Sequence, residues 1–242
     1  MITGIVVALP EELATLTSKK IAKGECLKLN ENLIVAFSGA GAINASKASQ
    51  LLVENGVTRL VSWGCAGALD ALLKPGDLVV ADKLIDADGY LVDDCCVISS
   101  WYEAIIKYLP KKVSVHKGTL IESQEIISLS VVKEQLYAST AAIAVDMESI
   151  AIAKVARRHQ LSFLAIRVIV DPASMNLPQA INHSLNDQGE VEMPKLLSFI
   201  ARHPLEIPDL IVLGLYFNAA KKTLRALVSQ LDYVIAYDSY DD

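Results

Sequence analysis

Four acidic side chains stand where the chain is otherwise apolar. "IAVDMESIAIAKVA" (143–156) places Asp146 and Glu148 inside an almost wholly apolar stretch, "RVIVDPAS" ends an apolar run in Asp171, and "GIVVALPEEL" puts Glu12 just after another. An ionised carboxylate taken out of water is costly without partners, so each placement asks for a cap, an ion pair or a ligand. Asp146 suits a helix N-cap, its carboxylate accepting from N–H groups of the next turn, and the helix dipole welcomes Glu148 in that turn. Capping accounts for Asp146. It leaves Glu148 unexplained, because Met147, Ile150, Ala151 and Ile152 crowd it with apolar neighbours. Asp171 before Pro172 is either a turn residue or a carboxyl group whose pKa is raised by its surroundings so that it donates a proton. Glu11 reads as a helix-start residue after Pro10. Glu12 belongs with the other strand-end acids.

The elements that must position these groups follow from periodicity. "TGIVVAL", "TRLVSWG", "GDLVVADKLID", "VSVHKGTLI", "AAIAV" and "SFLAIRVIVD" read as short buried strands, and "LKLNENLIVAFS" as a hairpin. "PEELATL", "INASKASQLLVEN", "LSVVKEQLYAS" and the stretch from Asp146 to about His159 have helical spacing. Short apolar strands alternating with helices predict an α/β fold. The expected form is a three-layer sandwich, with a mixed, mainly parallel sheet covered by helices on both faces. No linker or repeat divides the 242 residues, so residues 1–242 are expected to form one domain, with C-terminal helices over 193–232 packed on it. Ligands of such sheets lie at the carboxyl ends of the strands, where the acids are.

Composition narrows the function. The chain is 52% hydrophobic with a mean hydropathy of +0.38, ample for a core, yet its most apolar late segment, "IPDLIVLGLYFNAA", is broken by Pro208, Asp209 and Asn218. That segment is expected as a buried or interfacial helix and not a membrane span. A net charge of −6 with scattered lysines and arginines argues against nucleic acid. Cys26, Cys65, Cys95 and Cys96 have neither metal nor disulfide spacing, and "MITGIVVALPEE" has no secretory signal, so a cytoplasmic protein without a metal is expected. His116, His159, His183 and His203 read as surface residues without orienting partners. Gly39 and Gly41 mark a turn between strand and helix. Gly64 and Gly67 read as a second turn, with Cys65 as a small buried residue or a thiol.

Taken together, "GIVVALPEEL", "SGAGAINASKA", "WGCAGALDALLKPGDLVVAD", "VDMESIAIA" and "RVIVDPA" resemble the purine nucleoside phosphorylase and methylthioadenosine/S-adenosylhomocysteine nucleosidase superfamily, from Ile2 to about Pro178. The resemblance implies cleavage of the N-glycosidic bond of an adenosine-type nucleoside, with release of adenine. Glu148 would accept hydrogen bonds from ribose hydroxyls and Met147 would pack on sugar or base. Asp171 would protonate or hydrogen-bond the purine N7, and Glu12 would activate water. No cofactor is implied, and phosphate, the alternative nucleophile and co-substrate, would rest on Ser38, Gly39 and the backbone of Gly64, Cys65 and Ala66. The hexameric phosphorylases carry an arginine where this chain has Ser62 and Trp63, which tilts the expectation towards water. An aliphatic clamp from Ile126 or Ile127 would replace the aromatic that stacks on adenine.

"DPASMNLPQAI", "VDMES" and the apolar tail are similar to the hopanoid-associated branch, which removes adenine from an adenosylated hopane lipid. That branch implies a lipid-linked nucleoside and peripheral membrane contact, with a buried helix explaining the apolar tail equally well, and the superfamily resemblance implies a homo-oligomer. A methylthioadenosine/S-adenosylhomocysteine nucleosidase is the rival within the class. A non-catalytic nucleoside-binding protein is the rival outside it.

Overall fold

The computed structural model describes residues 1–86, 88, 91, 99–184, 186 and 191–231, with backbone alone for 99–101. Cys95 and Cys96 lie outside the described residues. Strand β1 (Thr3–Val7) leads into helix α1 (Pro10–Leu16), whose start is fixed by Pro10 in the first turn. The hairpin β2 (Cys26–Asn30) and β3 (Leu33–Phe37) precedes α2 (Ala42–Glu54), which starts at Gly41 with φ +91°. Next come β4 (Arg59–Ala68), β5 (Leu78–Ile85), α3 (Ser99–Tyr108), β6 (Val115–Glu122), α4 (Ser130–Thr140) and β7 (Ala144–Asp146). The chain continues through α5 (Ser149–Arg158), β8 (Ser162–Asp171), α6 (Gln179–Ser184), α7 (Met193–Arg202), a 3-10 turn (Pro204–Glu206) and α8 (Ile207–Val228).

The strands form one sheet in the order β2-β3-β1-β4-β7-β6-β5-β8, and a further pairing of β4 with β8 curls the far end back on itself. Five of the pairings are parallel, and β2–β3, β4–β7 and β5–β8 are antiparallel, so the sheet is mixed and mainly parallel. Alternation along the strands sends side chains to two cores. Ala45, Ala48 and Leu52 of α2 and Ile150, Ile152 and Val155 of α5 pack on one face with Leu60, Phe163, Ala165 and Ile169. Leu13 of α1, Ala104 and Ile105 of α3, and Ala220, Leu224 and Leu227 of α8 cover the other face with Val61, Trp63, Ile166 and Val168.

Three expectations need correction. Gly64 to Gly67 is not a turn: β4 runs through it to Ala68, because β8 and β7 continue to pair with it. Of the two alternatives for α8, buried or interfacial, its early part departs from the first. Ile211 and Leu215 are exposed and Leu205, just before the helix, is 91% exposed, because only the later turns reach the sheet. The histidines do have partners: His116 pairs with Asp77, His159 bonds Gln50, and His183 and His203 stack on Phe199. No described helix is long and apolar enough to cross a membrane.

Candidate active site

The acids gather around a residue that the sequence reading passed over. Arg167 lies in mid-β8, at the place in the strand's alternation between Ala165 and Ile169, so its side chain enters the core face covered by α5. It is almost completely buried, which a guanidinium tolerates only when its donors are engaged. Nε lies 2.6 Å from Asp146 Oδ2 and donates to Ser149 Oγ at 3.2 Å. Nη2 donates to Ser62 Oγ at 2.7 Å and lies 3.5 Å from Glu148 Oε2. Ser149 Oγ also bonds Ser62 Oγ and Asp146 Oδ2.

Asp146 thus does more than the cap expected of it, and Glu148 sits at a different place in the helix start. Asp146 closes β7 as the ion-pair partner of Arg167, although its Oδ1 also accepts from the Ser149 N–H at 3.4 Å. Glu148, not Asp146, occupies the N-cap position of α5, because the helix begins two residues later than the apolar pattern suggests. Its side chain does not cap. Oε1 accepts from the Gly41 N–H at 2.8 Å, tying the start of α2 to the start of α5. Burial, opposed by Arg167 and reinforced by Asp146, pushes Glu148 up to about 7.

Glu12 reaches the same cluster from α1. Its Oε2 accepts from the N–H groups of Ala8 (3.1 Å) and Leu9 (3.0 Å), and Oε1 accepts from Cys65 N–H at 2.8 Å. Burial raises its pKa more than Arg167 and these bonds lower it. Gly64 makes the approach feasible. A Cβ there would stand 2.5 Å from Glu12 Oε1 and 2.6 Å from an Arg167 terminal nitrogen. Cys65 Sγ is a neutral thiol, its pKa driven well up by burial and by Glu12.

Asp171 forms a second pole. β8 carries one residue more than β4 at this point, pairing Ile169 with Ala66 but Asp171 with Gly67, and such a bulge re-aims the side chains around it. A Cβ on Gly67 would lie 3.1 Å from Asp171 Oδ2. Gly64 and Gly67 are three residues apart on β4, so one strand makes room for both poles. Lys133 of α4, also unread in the sequence, lies with Nζ 2.5 Å from Asp171 Oδ2. Burial raises the Asp171 pKa while Lys133 opposes it.

Beside the first pole opens a cavity of about 1250 Å³, lined by Gly41, Ile43, Asn44, Glu122, Ile126 and Met147 among others. Met147 and Ile126 therefore face the cavity, whereas Ile127 packs against the Leu69–Ile121–Val145 cluster. Ser38 spends its hydroxyl on the carbonyls of Val7 and Gly39. Gly39, at φ +76°, passes under the Lys23 side chain, and Ala66 is buried in the core beneath α5. Among the described residues no group of acids, histidines and cysteines could hold a metal ion.

Residues 3–193 match the model of the Phosphorylase superfamily, and the chain belongs to that family. The chain matches a sequence relative over part of its length, and solved structures in fold over 96% of it. It is 26% identical over 145 residues to the 5′-methylthioadenosine/S-adenosylhomocysteine nucleosidase of Thermotoga maritima, a match covering 57% of this chain and 65% of that protein. A mutant of the Helicobacter pylori enzyme of the same name, with 5′-methylthioadenosine in its active site, superposes with a TM-score of 0.68 at 18% identity over 96% of this chain and 98% of that one. The futalosine hydrolase of Helicobacter pylori gives a TM-score of 0.66 at 19% identity, covering 96% of each chain.

Proposed function

We propose that this protein cleaves the N-glycosidic bond of an adenosine-type nucleoside and releases the free base by hydrolysis. The observation that carries the reading is the pair of poles set by β4. Three buried carboxylates share one guanidinium at the first, and a single carboxyl stands at the second. Breaking the bond between C1′ and the ring nitrogen builds positive charge on the sugar and negative charge on the base. A cluster with more carboxylates than cations favours the first charge, and a proton donor removes the second.

In this reading Glu148 accepts hydrogen bonds from the ribose hydroxyls, with Met147 against the sugar. Glu12, held by three backbone N–H groups and raised in pKa by burial, takes a proton from the attacking water. Asp171 gives a proton to the leaving purine. Water is favoured over phosphate because Arg167 is already engaged by Asp146, Glu148, Ser62 and Ser149, so a dianion would meet net negative charge.

The cavity wall supports a nucleoside with a modest or polar 5′ group, such as methylthioadenosine or S-adenosylhomocysteine, because Asn44, Glu122, Ser123, Gln124 and Asn182 line it. One observation favours a second substrate, adenosine bearing a hopane lipid. Apolar Met193 and Leu197 of α7, Leu205 of the 3-10 turn, and Ile211 and Leu215 of α8 are exposed, and α7 packs against the α6 that lends Asn182 to the cavity. The test is chromatography of the products from methylthioadenosine, S-adenosylhomocysteine and a 5′-alkyl adenosine, each with and without phosphate. Adenine from the first two is expected. Adenine from the alkyl nucleoside alone would select the lipid-linked substrate, and ligand binding without any adenine would select the non-catalytic reading.

A further inference from the structure

Helix α4 lies at the edge of the fold, with Val131 and Tyr137 exposed, and its one fully buried residue is a lysine. Lysine is almost never buried completely without partners, and an aliphatic side chain would fill the same space at no electrostatic cost. Lys133 has three ammonium N–H bonds and three acceptors. They are Asp171 Oδ2 at 2.5 Å, the Met175 carbonyl at 3.1 Å and the Pro172 carbonyl at 3.2 Å. All three belong to the segment that leaves the carboxyl end of β8. The helix thus delivers one cation to one carboxyl group, and the shortest contact is to the carboxyl.

We propose that Lys133 is a positioning residue for base departure: it fixes the Asp171 carboxyl group and stabilises the carboxylate formed when Asp171 gives up its proton. The inference rests on the proton-donor reading of Asp171 above. As the C1′–N9 bond breaks, its electron pair goes to the purine, the Asp171 proton moves to a ring nitrogen, and Lys133 keeps all three of its own. The charge left on Asp171 faces a fixed ammonium in a site with little water, where such pairing counts most. The same ammonium opposes the protonated form that burial promotes. The Asp171 charge in turn helps to raise the pKa of the Cys65 thiol of β4, which stays neutral, and Lys133 is the one charged side chain that acts on Asp171 among the described residues. Lys133 therefore sets the balance.

The test compares Lys133→Met and Lys133→Gln with wild type in the pH dependence of kcat for base release, alone and on an Asp171→Asn background. Thermal unfolding checks that each variant folds. Removal of the cation should move the alkaline limb upward by about 1–3 pH units. It should also lower the plateau by roughly 10²-fold while KM changes little. In the Asp171→Asn background the same substitutions should cost nothing more. Lys133→Gln retains a donor to the carbonyls of Pro172 and Met175, so it keeps the test alive should Lys133→Met fail to fold. An unshifted profile with an undiminished loss in the Asp171→Asn background overturns the pairing and leaves Lys133 a pin for the segment after β8. A wild-type protein that releases no base from any nucleoside overturns the donor reading as well, so the two failures are told apart.

Discussion

The two ends of the site differ in charge balance. At one end Glu12, Asp146 and Glu148 surround a single cation, Arg167; at the other, Asp171 is matched by Lys133 alone. The first end carries surplus negative charge, held in place by backbone N–H groups and serine hydroxyls, which suits a sugar becoming positive. At the second, Lys133 and Asp171 balance each other once Asp171 has given up its proton, so the pair is poised for the state after base departure. Both are served by β4, whose glycines make room for a carboxylate at each end. A dry pocket can hold this many acids because each has a named partner.

Substitutions should separate the two ends by the size and kind of their effects. Asp171→Asn and Glu12→Gln each remove one proton-transfer group and should cost about 10²–10⁴-fold in kcat, with substrate affinity largely kept, as read by steady-state kinetics and equilibrium binding. Loss of affinity with normal turnover in either variant would exchange its role for a binding one. Arg167→Met should be the most damaging to the fold, at about 3–5 kcal/mol, because it strands Asp146 and Glu148 as buried unpaired charges. Urea unfolding measures this, and a loss within experimental error would mean that the cluster does not depend on its cation.

The glycines give a finer contrast. Gly64→Ala drives a methyl to 2.5 Å from Glu12 Oε1 and should cost about 1–3 kcal/mol along with most activity; Gly67→Ala meets Asp171 only at 3.1 Å and should be milder. Equal effects would erase the difference between the ends.

The smallest effect expected is on pH. Glu148 is raised from 4.5 to about 7 when folded, so its contribution to stability is fully present below about pH 4.5 and is lost as pH rises through about 7. Sugar hydroxyls prefer the ionised form. Binding of a nucleoside should therefore weaken below about pH 7, by up to tenfold per unit, and Glu148→Gln should flatten the dependence. Calorimetric titration at several pH values measures both.

The acids were legible because each interrupts an apolar run at the end of a strand. Their division of labour was not. Asp146 is more than a cap because its main partner, Arg167, lies on β8, and Glu148 takes the N-cap position without capping because α5 starts later than its periodicity suggests. Arg167 was visible in the same terms, as an arginine inside "FLAIRVIVD", but the β-branched residues around it made the segment read as core alone. Lys133 carried no such signal. In "SVVKEQL" it resembles any lysine on a helix edge, and only the segment after β8, packed on α4, buries it. The Gly-x-x-Gly stretch misled for a related reason: glycine there serves close approach by side chains from other elements and not a turn. Helix α8 shows the reverse case: hydrophobicity left burial and an interface both open, and its early turns are not buried because the sheet does not extend far enough to cover them.

The central claim is that a nucleoside lies between these two ends and loses its base to water. Its most direct test is incubation of the wild-type protein with 5′-methylthioadenosine in ¹⁸O-labelled water, with and without phosphate, followed by mass spectrometry of both products. The account predicts adenine and a free sugar carrying the label at C1, at a rate indifferent to phosphate. Adenine accompanied by an unlabelled sugar phosphate, or no adenine at all, would contradict it.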